Sequence, residues 1–95
     1  MASLLSAATA NGAGTGVAMT GPCTVIVEND SVFDRAEVHI EVSETDTAGK
    51  YAPAGREAIL RAAGAIRIDV TGAYYVRARI AKAESATSIN AVAIQ

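Results

Sequence analysis

The sequence predicts an all-β protein, a small antiparallel β-sandwich or barrel of about seven to eight short strands. Apolar and polar residues alternate with a period of two in several short runs, as they do in strands that bury one face. Gly, Pro, Asn and Asp residues separate these runs at intervals of roughly 8 to 12 residues, which is typical of turns between short strands. A chain of 95 residues is too short for two cores, so we expect a single domain over residues 1–95.

The first part of the chain contains three predicted strands, over residues 3–10, 17–20 and 23–28. Asn11-Gly12 is a strong signal for a hairpin turn after the first of them. Gly21-Pro22 ends the second, because proline lacks a backbone donor. In the third, Val25 and Val27 alternate with Ile26, so both faces are partly apolar and we expect a central position in its sheet.

The middle of the chain contains predicted strands over residues 37–43 and 51–54. In the first of these, apolar residues at 38, 40 and 42 alternate with polar ones, which predicts one buried and one solvent-exposed face. Pro53 places the second strand at a sheet edge. Phe33, in the polar connection over residues 29–34, is expected to fold back onto one end of the core.

Residues 57–63 fit two structures. Glu57 and Arg61 lie four positions apart among helix-forming residues, which favours a helix. The segment is short and lies within a series of strands, which favours a strand instead. The sequence leaves both possibilities open, with strand preferred.

The clearest alternation lies over residues 65–83, and a last strand is predicted over residues 88–95. The apolar side of residues 65–83 consists of Ile66, Ile68, Val70, Tyr74, Val76, Ala78 and Ile80. Charged residues occupy most of the opposite side. Because two alternating runs meet at Thr71-Gly72, we predict a β-hairpin with one buried and one charged face.

The composition limits the classes of function. Eight basic and ten acidic residues give a formal charge of −2, which provides no attraction for nucleic acid or for an anionic membrane. No run approaches the ~18 apolar residues of a membrane span. The single cysteine, Cys23, cannot form an internal disulfide, so we expect synthesis in the reducing cytoplasm.

Two loop features suggest ligand binding, and each has a simpler interpretation. Gly12, Gly14 and Gly16 resemble a phosphate-binding loop, but no helix pattern follows them, so a hairpin loop is preferred. Acidic residues occur in two loops, at Asp30, Asp34, Glu44 and Asp46. Their spacing matches no calcium loop, and we interpret them as solvated side chains.

The only histidine and the only cysteine provide a weak basis for catalysis. His39 lies between Glu37 and Glu41 on the polar side of its predicted strand, where nothing needs activation. Cys23 begins an apolar strand and is interpreted as a small buried hydrophobic residue. We therefore predict no catalytic residue, no cofactor and no metal site.

One strand face is a candidate interface. Tyr75, Arg77 and Arg79 share the charged side of their strand, and Tyr and Arg are frequent in binding hot spots. Cross-strand pairing on a solvated sheet face explains the same residues equally well. The partners for such pairing would be Glu37, Glu41 or Asp69.

Nearly the whole chain resembles the small β-sandwich structural proteins of tailed bacteriophages. The residues that carry the resemblance are Phe33 with Ala36-Glu-Val-His-Ile40, Tyr51-Ala-Pro53, Gly72-Ala-Tyr-Tyr-Val-Arg-Ala78 and Ala86-Thr-Ser-Ile89. Proteins of this type are capsid decoration (cement) subunits or head and tail accessory components. The resemblance supplies no catalytic residues.

The resemblance implies a non-enzymatic virion protein, assembled in the host cytoplasm, that binds the lattice of the major capsid protein. The chain is 51% hydrophobic but only 4% aromatic, so we expect a thin core that gains stability from association with a partner. We also expect a homo-oligomer. A tail or fibre component of the same virion is one alternative. A carbohydrate-binding module is another, against which the lack of Trp counts, and a small hydrolase lacks an evident nucleophile and base.

Overall fold

The computed structural model describes residues 2–29, 36–55, 58–83 and 88–95, which form two antiparallel sheets packed as a β-sandwich. The strands in these ranges are β1 (Ala2–Ala8), β2 (Gly12–Ala13), β3 (Val17–Thr20), β4 (Cys23–Asn29), β5 (Glu37–Ser43), β6 (Ala52–Pro53), β7 (Ile59–Leu60), β8 (Gly64–Ile68), β9 (Ala73–Ala81) and β10 (Ile89–Ile94). The only other regular element there is a 3-10 turn, Ala48–Lys50. None of the described helical structure could cross a membrane. The all-β prediction is confirmed.

The first sheet, called sheet A, has the strand order β1-β10-β4-β8. Strand β4 pairs with β10 on one side and with β8 on the other, each in a continuous antiparallel register. The predicted central position of this strand is confirmed. Its two neighbours come from the C-terminal half of the chain, so sheet A is held together by contacts between distant segments.

The second sheet, called sheet B, is built on the long pair β5 and β9, in which Glu37 lies opposite Ala81 and Ser43 opposite Tyr75. Short strands cover the outer edges of this pair. Strands β2 and β3 pair with β9, and β6 and β7 pair with β5. Pro53 lies in β6, so its predicted place at a sheet edge is confirmed.

The core fills the space between the two sheets. The buried apolar residues that sheet A contributes are Leu4, Leu5, Cys23, Val25, Val27, Ile68, Ile89, Ala91 and Ala93. Those from sheet B are Met19, Val38, Ile40, Tyr74, Val76, Ala78 and Ile80. The alternation predicted for residues 74–80 thus marks the buried face correctly. Small and branched side chains make up most of this core, as the composition indicates.

The predicted hairpin over residues 65–83 is wrong. Strand β8 belongs to sheet A and pairs with β4, whereas β9 belongs to sheet B and pairs with β5. The chain crosses from one sheet to the other through residues 69–72, where Gly72 has a φ of +83°. Both runs bury their apolar side against the same core, and therefore their alternation does not distinguish a hairpin from a crossover.

The hairpin turn predicted at Asn11-Gly12 is also a crossover between the sheets. Strand β1 pairs with β10 in sheet A, and β2 pairs with β9 in sheet B. The amide of Gly14 donates a hydrogen bond to the carbonyl of Ala78, which attaches this connection to β9. A Cβ at Gly14 would collide with the carbonyl oxygen of Leu4, so the two sheets approach too closely here for any side chain.

Two other predictions concern connecting segments. Of residues 57–63, Ile59 and Leu60 form β7 against β5, and residues 61–63 bend, so the described part of this segment contains a short strand and no helix. Glu57 lies outside the described residues. Phe33 and the place predicted for it at the end of the core also lie outside them.

Candidate interaction surface

The outer side of sheet B carries a cluster of ionic side chains, which we call the charged face. It consists of Glu37, Glu41, Arg61, Arg77, Arg79 and Lys82. Strands β5 and β9 position the glutamates and the two central arginines. The other two cations follow β7 and β9 directly. Among the described residues, four basic groups face two carboxylates here, which gives this part of the face an excess of positive charge on a chain whose net charge is −2.

Glu41 lies between two arginines on the neighbouring strand. The Nε of Arg77 donates to Glu41 Oε1 over 2.9 Å, and the Nε of Arg79 donates to Glu41 Oε2 over 3.3 Å. Arg77 lies directly opposite Glu41 in the β5–β9 register, and Arg79 is two residues further along β9. The Glu41 side chain is only 9% exposed, so both of its oxygens are satisfied by charged donors away from bulk water.

Glu37, the first residue of β5, forms a second cluster. Its Oε2 accepts hydrogen bonds from Arg61 Nε over 3.2 Å and from Lys82 Nζ over 3.3 Å. Its Oε1 lies 3.2 Å from His39 Nε2. Burial raises the pKa of Glu37. The hydrogen bonds with Lys82 and His39, together with the charges of Lys82 and Arg61, have a larger opposite effect, so the pKa of Glu37 lies below its ordinary value. Glu37 is therefore held in its ionised form.

Tyr51 extends the charged face beside Arg77. The Arg77 guanidinium lies over the Tyr51 ring, 4.1 Å from its centroid, and a second Arg77 nitrogen, Nη2, contacts the carbonyl of Ala48. The Tyr51 hydroxyl donates to Asp46 Oδ1 over 2.9 Å. Burial, together with the hydrogen bond to Asp46 and its charge, raises the pKa of Tyr51 to about 12. Arg77 is thus fixed on several sides.

A glycine makes room for this arrangement. A Cβ at Gly16 would collide with the Tyr51 hydroxyl and with the Asp46 carboxylate. The segment between β2 and β3 therefore passes directly against the side chains that hold Arg77 in place. Of the three glycines that resemble a phosphate-binding loop, Gly14 and Gly16 are explained by close packing.

The three residues of the candidate interface have different surroundings. Arg77 and Arg79 both pair with Glu41, as the cross-strand alternative predicts. Tyr75 is half-buried on β9, across from Ser43 and next to Ala18 of β3. Asp69, which follows β8, instead pairs at 3.0 Å with Arg67 of that strand in sheet A. The role of the three residues in binding a partner stays a prediction.

The outer face of β5 is less exposed than its alternation predicts. Glu37, Glu41 and Ser43 are buried, and His39 is only partly exposed. The prediction of a solvent-exposed polar side is wrong because the long side chains of the neighbouring segments fold over β5. Period-two alternation indicates which side of a strand is polar, but not whether other polar side chains cover it.

Cys23 is buried in the core, as predicted. The hydroxyl of Tyr74 donates to the Gly21 carbonyl over 2.7 Å and lies 3.2 Å from Cys23 Sγ. Burial, followed by the hydrogen bond with the Cys23 thiol, raises the pKa of Tyr74. The Cys23 side chain therefore has a packing role beside a neutral phenol, and His39 lies on the opposite side of sheet B.

The acidic loop residues are not brought together by the described structure. Asp46 binds Tyr51, Glu44 is exposed, and Asp30 and Asp34 lie outside the described residues. Across residues 2–29, 36–55, 58–83 and 88–95 no group of His, Cys, Asp and Glu side chains is arranged to hold a metal ion.

The outer face of sheet A differs in character. Ile26 of β4 and Val92 of β10 lie opposite each other and are partly exposed, with Ile94 exposed nearby. The sandwich therefore has one mainly uncharged outer side and one outer side held by ion pairs. The sequence predicts Arg77 and Arg79 as surface residues of one strand, but it does not predict that Arg61 and Lys82 join them, because these two lie beyond the ends of regular strands.

Comparisons of the chain with protein-family models, with curated proteins and with solved structures give no match. The properties of the site therefore rest on its own geometry. Side chains fixed by charged hydrogen bonds on a sheet surface are suited to binding another macromolecule, since little side-chain freedom is left to lose on contact.

Proposed function

We propose that the protein is a non-enzymatic structural subunit of a tailed-phage virion, which decorates the outside of the capsid and stabilises the lattice of the major capsid protein. The resemblance of its sequence to such proteins supports this proposal, and so does its small β-sandwich fold. The observation that carries it furthest is the ordered charged face, in which Arg77 and Arg79 bracket a buried Glu41.

An ordered face is advantageous for a subunit that binds many equivalent sites. Arg77 is held by Glu41, by the Tyr51 ring and by the Ala48 carbonyl, and Glu41 also binds Arg79, so the charged face is already in place before any partner arrives. Contacts that are individually weak add up when they are repeated over a shell or linked within an oligomer. We include in the proposal that the subunit binds as a homo-oligomer.

The stabilisation is proposed to be mutual. The largest fully buried side chains of the described residues are those of Leu, Ile, Val and Cys, with no aromatic residue among them. A partner that binds only the folded subunit stabilises it by mass action, and bound subunits stabilise the assembled shell in the same way. The isolated subunit should therefore have a modest melting temperature that rises on the shell.

The decisive measurement compares shells with and without the subunit. Purified particles are heated while a dye reports DNA release, and the copy number is determined by quantitative mass spectrometry. We expect hundreds of copies per particle and release at a higher temperature when the subunit is present. Coincident release curves, or a handful of copies at one vertex, would replace the decoration proposal by the tail or fibre alternative.

A further inference from the structure

We propose that the charged face binds carboxylates on an acidic protein surface through Arg61, Arg79 and Lys82, while Arg77 serves only to position Glu41 and β9. The inference deepens the proposed function, on which it rests for the existence of a structural partner. On this proposal the outer cations, Arg61, Arg79 and Lys82, contact the partner, and the inner one, Arg77, does not.

Exposure separates the two sets. The Arg77 side chain is 14% exposed, whereas the Arg79, Arg61 and Lys82 side chains are 37%, 67% and 69% exposed. Arg77 also uses Nη2 on a backbone carbonyl and its planar face on Tyr51. Little of its surface and few of its donors therefore remain available to another molecule.

The outer arginines retain their terminal nitrogens. Arg61 and Arg79 each donate through Nε to a glutamate, and no contact among the described residues uses their Nη atoms. A guanidinium has five N–H donors in a planar fork, so an arginine held at Nε still has donors directed outward. A carboxylate from a partner can accept from two of these at once.

The embedded glutamates favour a protein partner over nucleic acid. Glu37 and Glu41 lie among the cations, so a backbone of closely and evenly spaced phosphates would be brought against these carboxylates. A protein surface with separated carboxylates can meet the outer cations and place neutral groups over the glutamates.

The test uses the full chain and two immobilised probes, a short peptide of alternating Glu and Thr and an oligothymidylate of matched charge. A Gln-Thr peptide is the control for backbone and threonine contacts. We expect binding to the Glu-Thr peptide that exceeds binding to either other probe. The variant carrying Arg61→Gln, Arg79→Gln and Lys82→Gln should bind at least about tenfold more weakly, since three charged contacts are lost.

The matched control variant is Arg67→Gln. Arg67 is similarly exposed and also ion-paired, but it lies on sheet A, so its loss should leave peptide binding unchanged. In the triple variant Glu41 still pairs with Arg77, and Glu37 still contacts His39, so we expect the variant to fold. Should the triple variant not fold, the Arg61→Gln and Lys82→Gln single variants carry the same comparison.

Three outcomes would overturn the inference. They are no binding to the Glu-Thr peptide, stronger binding to the oligothymidylate than to the peptide, or a loss of peptide binding in Arg67→Gln as large as that in the triple variant. The second would identify a nucleic-acid partner. The result is separable from the proposed function. Peptide binding that depends on the outer cations, with no subunit found on purified shells, would support this surface and refute capsid decoration.

Discussion

The Nε atom of Arg77 lies 2.9 Å from Oε1 of Glu41, which faces it across β5 and β9. Both side chains are largely covered, so the pair is shielded from water to a degree that surface ion pairs are not. A buried carboxylate destabilises the folded state unless charged donors bind its oxygens, so the loss of one donor lowers the free energy of unfolding. The stability of sheet B should therefore depend unequally on its arginines.

Replacing Arg77 should destabilise the protein more than replacing Arg79. Arg77→Gln removes the shorter contact to Glu41 and the cation–π contact with Tyr51, and should cost about 2 kcal/mol. Arg79→Gln removes a longer contact from a more exposed side chain and should cost less than about 1 kcal/mol. Urea unfolding followed by circular dichroism measures both. Equal midpoints for the two variants would contradict the inner role assigned to Arg77.

Replacing Gly14 should be more damaging than replacing Gly16. Gly14→Ala places a methyl group against the backbone carbonyl of Leu4, which cannot move without shifting β1, and should cost roughly 1 to 3 kcal/mol. Gly16→Ala displaces the ends of the Tyr51 and Asp46 side chains and should cost about 1 kcal/mol. Gly49→Ala is the control, because open space surrounds that position. In thermal melts, the melting temperature should fall most for Gly14→Ala, less for Gly16→Ala and least for Gly49→Ala.

The sequence predicted the strands well because each strand's buried face is encoded locally. The apolar residues Tyr74, Val76, Ala78 and Ile80 alternate on β9 and are all buried. Strand partners are not encoded in this way. The run over residues 66–70 would look the same in a hairpin with β9 or paired with β4, where Ile66 lies opposite Val25. Both misplaced hairpins are crossovers between the two sheets.

The charged face could be predicted only in part. Arg77 and Arg79 are predictable because they lie on a regular strand, and Glu41 is one of the partners that cross-strand pairing predicts for them. Arg61 lies 24 residues from Glu37 and Lys82 lies 45 residues from it, separations that local periodicity does not connect. The burial of the glutamates is likewise a property of several segments folding over β5. No single segment contains that information.

Cys23 should be replaceable by a small apolar residue. Cys23→Ala or Cys23→Val should cost at most about 1 to 2 kcal/mol, because the side chain contributes packing and the Tyr74 hydroxyl retains the Gly21 carbonyl as acceptor. In the native protein the buried thiol should react with a disulfide reagent only after unfolding. Rapid labelling of Cys23 in the native protein, or loss of a measurable activity in a variant that still folds, would mean that the thiol has a chemical role.

The last prediction concerns acid stability and follows from Glu37. Its pKa is lowered from the ordinary value of 4.5, because its charged partners outweigh the opposing effect of burial, so folding is favoured when Glu37 is ionised. This contribution is fully present above pH 4.5 and is lost as the pH falls through the lower pKa of the folded state. Glu37→Gln should therefore be less stable than the parent at neutral pH, and the difference should narrow as the pH falls below that value. The matched control is Glu28→Gln, at an exposed glutamate on sheet A. Urea midpoints measured from pH 7 to pH 3 decide the matter, and a Glu37→Gln deficit that stays constant over this range would show that the side chain acts through packing and not through its charge.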